Sequence, residues 1–175
     1  MEDLEAAVIV VVENKKDNKD IKDKDMIKQA DVKDFDKIKK MFINFANSAP
    51  VDYLHNPQYD DAHIDQILFN CSRSGVLLYA EQDGKPAGFF IAMPAGDLWL
   101  PAGSPVMREA AWWVEPAYRE GTVGGKLFLQ YLQVCKELKK RGLIQGYTMT
   151  LMDQSPKIKL EKYGFKPIET IYYAE

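Results

Sequence analysis

Two apolar runs flank Asp83-Gly84 in "GVLLYAEQDGKPAGFFIAMPAG" (75–96), and no other stretch constrains the fold as strongly. Asp-Gly readily supplies the positive φ angles of a tight hairpin, so the pattern predicts antiparallel strands at about 76–81 and 87–93. A sheet begun this way needs helices to cover it.

The flanking segments supply them. "MIKQA" from Met26 reads as a short strand, and Asp31 as an N-cap. Phe35, Ile38, Phe42 and Phe45 then recur at helical spacing. A second helix turns Ile64, Ile67, Leu68 and Cys71 inward, after the turn-rich loop 48–61. Beyond the hairpin, "VMREAAWWV" (106–114) is a strand that Pro116 ends. From Thr122 a stripe of Val123, Leu127, Tyr131, Val134 or Cys135, and Leu138 marks a helix, with Gly142 as its stop. "GYTMTLM" (146–152) reads as a strand, and Ser155-Pro156 as the start of a short helix ending at Gly164. "KPIETIYYA" reads as a last strand. The order is β-α-α-β-β-β-α-β-α-β, a mixed α/β domain with a largely antiparallel sheet.

Residues 26–175 form this one domain. Residues 1–25 are an appendage: an apolar run, "EAAVIVVVE", and a mixed-charge linker, "NKKDNKDIKDKD". The apolar run is too short to span a bilayer and lacks the basic flank of a signal peptide. An extra edge strand, a partner-binding arm and a tail all remain open, and the arm at 5–12 can add a strand across a homodimer. A net charge of −3 argues against duplex nucleic acid as the main partner. The two cysteines, Cys71 and Cys135, form no CxxC pair and read as buried free thiols of a cytoplasmic protein. His55 and His63 lack ligand spacing, so no metal site is expected.

The segment "VEPAYREGTVGGKL" (114–127) places an arginine, loose glycines and a lysine where a strand gives way to a helix. It is neither a P-loop nor a GxGxxG turn. Gly121 and Gly125 enclose too few residues for the first, Leu127 follows Lys126 where a hydroxyl is required, and the glycine spacing fails the second. What remains is a helix start whose unpaired amides and partial positive charge suit a pyrophosphate, with Arg119 and Lys126 adding charge. A turn that serves packing alone is the competing reading.

"WWVEPAYREGTVGGKL" resembles the acetyl-CoA motif of the GNAT acetyltransferase superfamily: an apolar strand, V-x-P, then R/Q-x-x-G-x-G/A. Val114, Pro116, Arg119 and Gly124 match, and Thr122 stands where the first glycine is usual. "KLEKYGF" resembles the family's late "YEKLGF" segment. The likeness follows element order over 26–175 and motifs over roughly 109–167.

The resemblance implies that acetyl-CoA is bound, with Arg119, Glu120, Gly121, Thr122, Val123, Gly124 and Gly125 at the pyrophosphate. Trp112, Trp113 and Val114 would lie along the pantetheine arm, and Asp153 would touch the cofactor. It implies acetyl transfer to a primary amine of a small molecule or protein. An N–H near Val114 or Glu115 would polarise the thioester. Glu109 is the first candidate for the base and Glu115 the second. Leu160 occupies the position where many relatives have a tyrosine acid, and Tyr163, three residues on, is the candidate replacement; a packing role is its alternative. Tyr53, His55, Tyr59 and Trp99 are candidates for an acceptor wall. Leu160 and Thr122 also allow a catalytically weak or inactive module that binds acyl-CoA.

Overall fold

A computed structural model describes residues 25–48, 60–96, 105–152 and 155–170. Within them lie β1 (Asp25–Gln29), α1 (Phe35–Ser48), α2 (Asp61–Ser74), β2 (Val76–Gln82), β3 (Lys85–Ala95), β4 (Val106–Val114), α3 (Val123–Lys140) and β5 (Gly146–Thr148). The sheet runs β1-β2-β3-β4-β5. Its first four strands are antiparallel, and β4 pairs with β5 in parallel. The hairpin forms as expected, with Asp83 at φ 50° and Gly84 at φ 74°.

Helices pack on both sheet faces, which is why β2 reads as a continuous apolar run rather than an alternation. Val76, Leu78 and Ala80 join Leu127, Tyr131, Val134 and Leu138 of α3 in one core. Leu77 and Tyr79 join Phe35, Ile38 and Met41 of α1 and Ile64, Leu68 and Cys71 of α2 in the other. On α1, Met41 and Ala46 are buried, whereas Phe42 and Phe45 are only partly buried against this core. Asp31 closes a capping box with Asp34 over a 3-10 turn that precedes α1. Both cysteines are buried free thiols.

Three expectations are corrected at the C-terminal end. The strand expected over 146–152 stops at Thr148. The helix expected after Ser155 shrinks to a 3-10 turn, Leu160–Tyr163, because so short a segment gains too few backbone bonds to offset nucleation. Ser155 does not cap it; its hydroxyl instead accepts a bond from the amide of Met152 at 3.0 Å. Of the last strand expected over 166–174, residues 166–170 form no strand and Ile168 is exposed, while 171–174 lie outside the described residues. Among the described residues, no helix is long and apolar enough to cross a membrane.

Gly88 faces Val114 at the end of the β3–β4 ladder. A Cβ there would lie 2.6 Å from the carbonyl oxygen of Trp113 and 3.1 Å from Leu127 of α3. Gly88→Ala is therefore expected to lower the unfolding free energy by about 1–3 kcal/mol, read from urea denaturation.

Candidate functional site

The β3–β4 register shifts between Ile91 and Ala92: Ile91 faces Ala111, but Ala92 faces Glu109. Ala110 is thus an extra residue in β4, a bulge that reverses the alternation of side chains. Before it, Met107 packs in the α3 core. After it, Ala111 and Trp113 pack in the α1/α2 core, while Trp112 and Val114 face α3. By alternation from Met107, Glu109 stands on the α3 face as well. Without the bulge, Glu109 and Trp112 would lie on opposite faces.

The other edge of β4 opens at the same place. Pairing with β5 runs from Val106↔Gly146 to Arg108↔Thr148 and then ends. From Glu109 onward, that edge of β4 has no strand partner among the described residues. The amide of Glu115 donates to Ala87 of β3 at 3.0 Å, so alternation turns the N–H and C=O groups of Val114 and Trp112 away from β3, onto the open edge. This corrects one candidate: Glu115 cannot offer its amide to a ligand there, whereas Val114 can. The Glu115 carboxylate is also held elsewhere, accepting from Asn44 of α1 at 3.0 Å.

Glu109 spans the opening. Its Oε2 accepts the amide of Thr150 at 3.1 Å, two residues after β5 ends. Burial pushes its carboxyl up to about 7, and the Thr150 amide pulls it partly back. It is therefore a carboxyl able to exchange a proton near neutral pH.

At the strand end, Arg119 donates from Nε to the Val114 carbonyl at 3.0 Å, and its guanidinium lies 4.5 Å from the Trp113 ring centroid. Of the amides expected at a pyrophosphate, those of Arg119 and Gly121 are engaged in the turn, with Pro116 and Tyr118. The first bond of the α3 ladder is Lys126 N–H to Thr122, so the amides of Val123, Gly124 and Gly125 precede it. Val123 itself is buried and offers only its backbone. Gly124 lies close under β4: a Cβ there would meet Val114 Cγ2 at 3.3 Å and Trp112 at 3.6 Å, while Gly125 faces open space. Glu120, Gly121 and Thr122 are exposed at the mouth.

Trp112 stacks on Phe128 of α3 at 5.7 Å, and its buried indole N–H has no partner among the described residues. Tyr163 packs edge-on to the same Phe128 at 4.9 Å and is half-exposed, while Leu160 is partly buried against the α3 core. The structure thus places Glu109, Trp112 and Val114 on the α3 face of β4, sets Gly124 of α3 beneath Trp112 and Val114, and joins Tyr163 to Trp112 through Phe128. Trp113 and Glu115 face α1 instead. Tyr53, His55, Tyr59, Trp99 and Asp153 lie outside the described residues.

The family resemblance implied a bulge in this strand without its position, and sequence reasoning missed the Thr150 bond and the hydroxyl of Tyr131, which reaches the β4–β5 junction. A buried tyrosine within an otherwise aliphatic stripe was the available signal for the last of these.

The profile described as "Acetyltransferase (GNAT) family" matches residues 39–165. No curated protein matches the sequence. Among solved structures, a Trypanosoma brucei acetyltransferase is similar at TM-score 0.61 and 16% identity, over 86% of this chain and 99% of that one. A glucosamine-6-phosphate N-acetyltransferase from Arabidopsis thaliana aligns at TM-score 0.59 and 18% identity, over 86% and 99%. An aminoglycoside N-acetyltransferase solved in complex with CoA aligns at TM-score 0.59 and 16% identity, over 86% and 93%.

Between about pH 4.5 and 7 the native chain keeps a proton on Glu109 that the unfolded chain has released. Stability therefore falls as pH rises through that window. Urea midpoints at pH 5 and pH 8 should show wild type losing more than Glu109→Gln, by about 3 kcal/mol at most.

Proposed function

Because the chain belongs to the GNAT acetyltransferase family, we propose that it moves an acetyl group from acetyl-CoA to a primary amine of a small molecule or protein. One observation supports this reading: β4 has an open edge from Glu109 onward, the first amides of α3 precede its ladder, and the carboxyl on that strand is pushed up to about 7. The aminoglycoside and glucosamine-6-phosphate N-acetyltransferases of the same fold act on small amines, which supports an amine acceptor.

The described residues suit such a carrier. Amides at a helix start, with glycines that allow close approach, hold a diphosphate. Gly124 keeps clear the space beneath Val114 and Trp112. The outward backbone groups of Trp112, with Val114 beside them, can pair with an amide-bearing arm as an added strand would. When bound, acetyl-CoA supplies the acetyl group as an activated thioester.

The chain's own groups supply the rest. The Val114 N–H donates to the carbonyl oxygen where negative charge develops. Glu109 takes the proton from the amine, directly or through water, and only its ionised form can do so. Arg119 ties the turn to the end of β4 and fixes where the amides point. Tyr163, seated on Phe128, is assigned as proton donor to the departing sulfur. Asp153 is assigned to the carrier, and Tyr53, His55, Tyr59 and Trp99 to the acceptor.

A carrier-binding module without turnover is the second reading. It is favoured by Leu160, which places an apolar side chain against α3 where relatives present a tyrosine. Calorimetry with acetyl-CoA, followed by thiol release over an amine panel, separates the two readings. Binding with no release leaves the module, and no binding of any coenzyme A thioester removes both.

For the enzyme, kcat/KM is expected to rise with pH through about 7 as Glu109 ionises. Glu109→Gln should lower turnover about 100-fold and remove that limb. Arg119→Ala should weaken acetyl-CoA binding about tenfold in calorimetry, and Arg119→Lys should not restore it, because lysine lacks the Nε donor within a planar fork.

A further inference from the structure

One core residue carries a polar group that its packing does not require. Tyr131 of α3 is fully buried, its ring stacked on Phe90 at 4.4 Å and set edge-on to Tyr147 of β5 at 6.4 Å. Phenylalanine would fill the same volume. The hydroxyl instead donates to the carbonyl of Thr148 at 2.9 Å, with the carbonyl of Met107 at 3.4 Å. Those two carbonyls belong to adjacent strands, at the place where the β4–β5 ladder ends. β5 ends at Thr148, and two residues later the Thr150 amide reaches Glu109.

We propose that Tyr131 is a positioning residue for the Glu109 carboxylate, pinning Thr148 at the β4–β5 junction so that the chain leaves the sheet with its Thr150 amide presented to Oε2. Aromatic rings on two elements hold the phenol, so the pin is stiff where the strands part. The pinned link runs from the Tyr131 hydroxyl through the Thr148 carbonyl and the Thr150 N–H to Glu109. This deepens the reading of Glu109 as the base, and it concerns the geometry of the ligand-free chain.

The titratable groups gathered at this junction are Tyr131 and Cys135 of α3, Tyr147 of β5 and Glu109 itself. Burial pushes the Cys135 thiol up to about 12 and raises both tyrosines, so Glu109 is the group among them that titrates near neutral pH. Arg108 precedes it, on the opposite side of the strand by alternation. A change in the Glu109 titration therefore reports on the Thr150 amide.

The test is a carboxyl-carbon NMR titration of Glu109, assigned with Glu109→Gln, alongside amide hydrogen exchange at Thr150, both without ligand. In Tyr131→Phe the Thr150 amide should exchange at least about tenfold faster, and the Glu109 midpoint should rise by about half a pH unit as the donor loosens. Unchanged exchange and midpoint, with only a lower melting temperature, would overturn the proposal and leave Tyr131 as packing. Should Tyr131→Phe not fold, 3-fluorotyrosine at position 131 decides: its stronger donor should slow Thr150 exchange and lower the midpoint, and no change in either is the overturning result. If the NMR shifts appear but no amine is acetylated, the positioning role stands and the enzymatic reading fails.

Discussion

The extra residue at Ala110 reverses the phase of β4 midway along the strand, and the company that Glu109 keeps on the α3 face depends on that reversal. A strand running unbroken from Met107 would send Trp112 and Val114 toward α1 and α2, and their backbone edge would no longer match Glu109 and α3. With the bulge, the carboxyl, the indole and the valine share a face. Bulges of this kind re-aim side chains at the cost of a locally broken ladder.

Where the ladder breaks, backbone groups need other partners. On the inner edge, Glu115 continues the pairing with Ala87. On the outer edge, side chains take the place of strands. Arg119 bonds the Val114 carbonyl, Tyr131 bonds the Thr148 carbonyl, and Glu109 bonds the Thr150 amide. These three bonds satisfy backbone groups where strand pairing ends.

The same constraint accounts for the charge state of Glu109. A carboxyl buried on the α3 face of β4 loses solvation and gains one backbone donor among the described residues, so its proton is held up to about 7. A second amide on the same oxygens would pull it down toward an ordinary carboxylate. The early end of β5 therefore bears on acidity as well as on space.

Much of the layout was legible along the chain. Asp83-Gly84 specified the hairpin, the apolar stripe from Val123 to Leu138 specified α3, and the Val114–Gly125 segment marked the strand-to-helix turn, because turn chemistry and side-chain period are local properties. The phase of Glu109, the engagement of the Arg119 and Gly121 amides, the shrinkage of the last helix to a 3-10 turn, and the bonds of the Tyr131 hydroxyl were not legible. Each depends on which backbone group meets which across the sheet. The order of elements and the residue types at the site belong to the sequence alone. Which face those residues share, and which amides remain to meet a ligand, the tertiary structure decided, because register between strands is set by pairing over long separations that no local periodicity encodes.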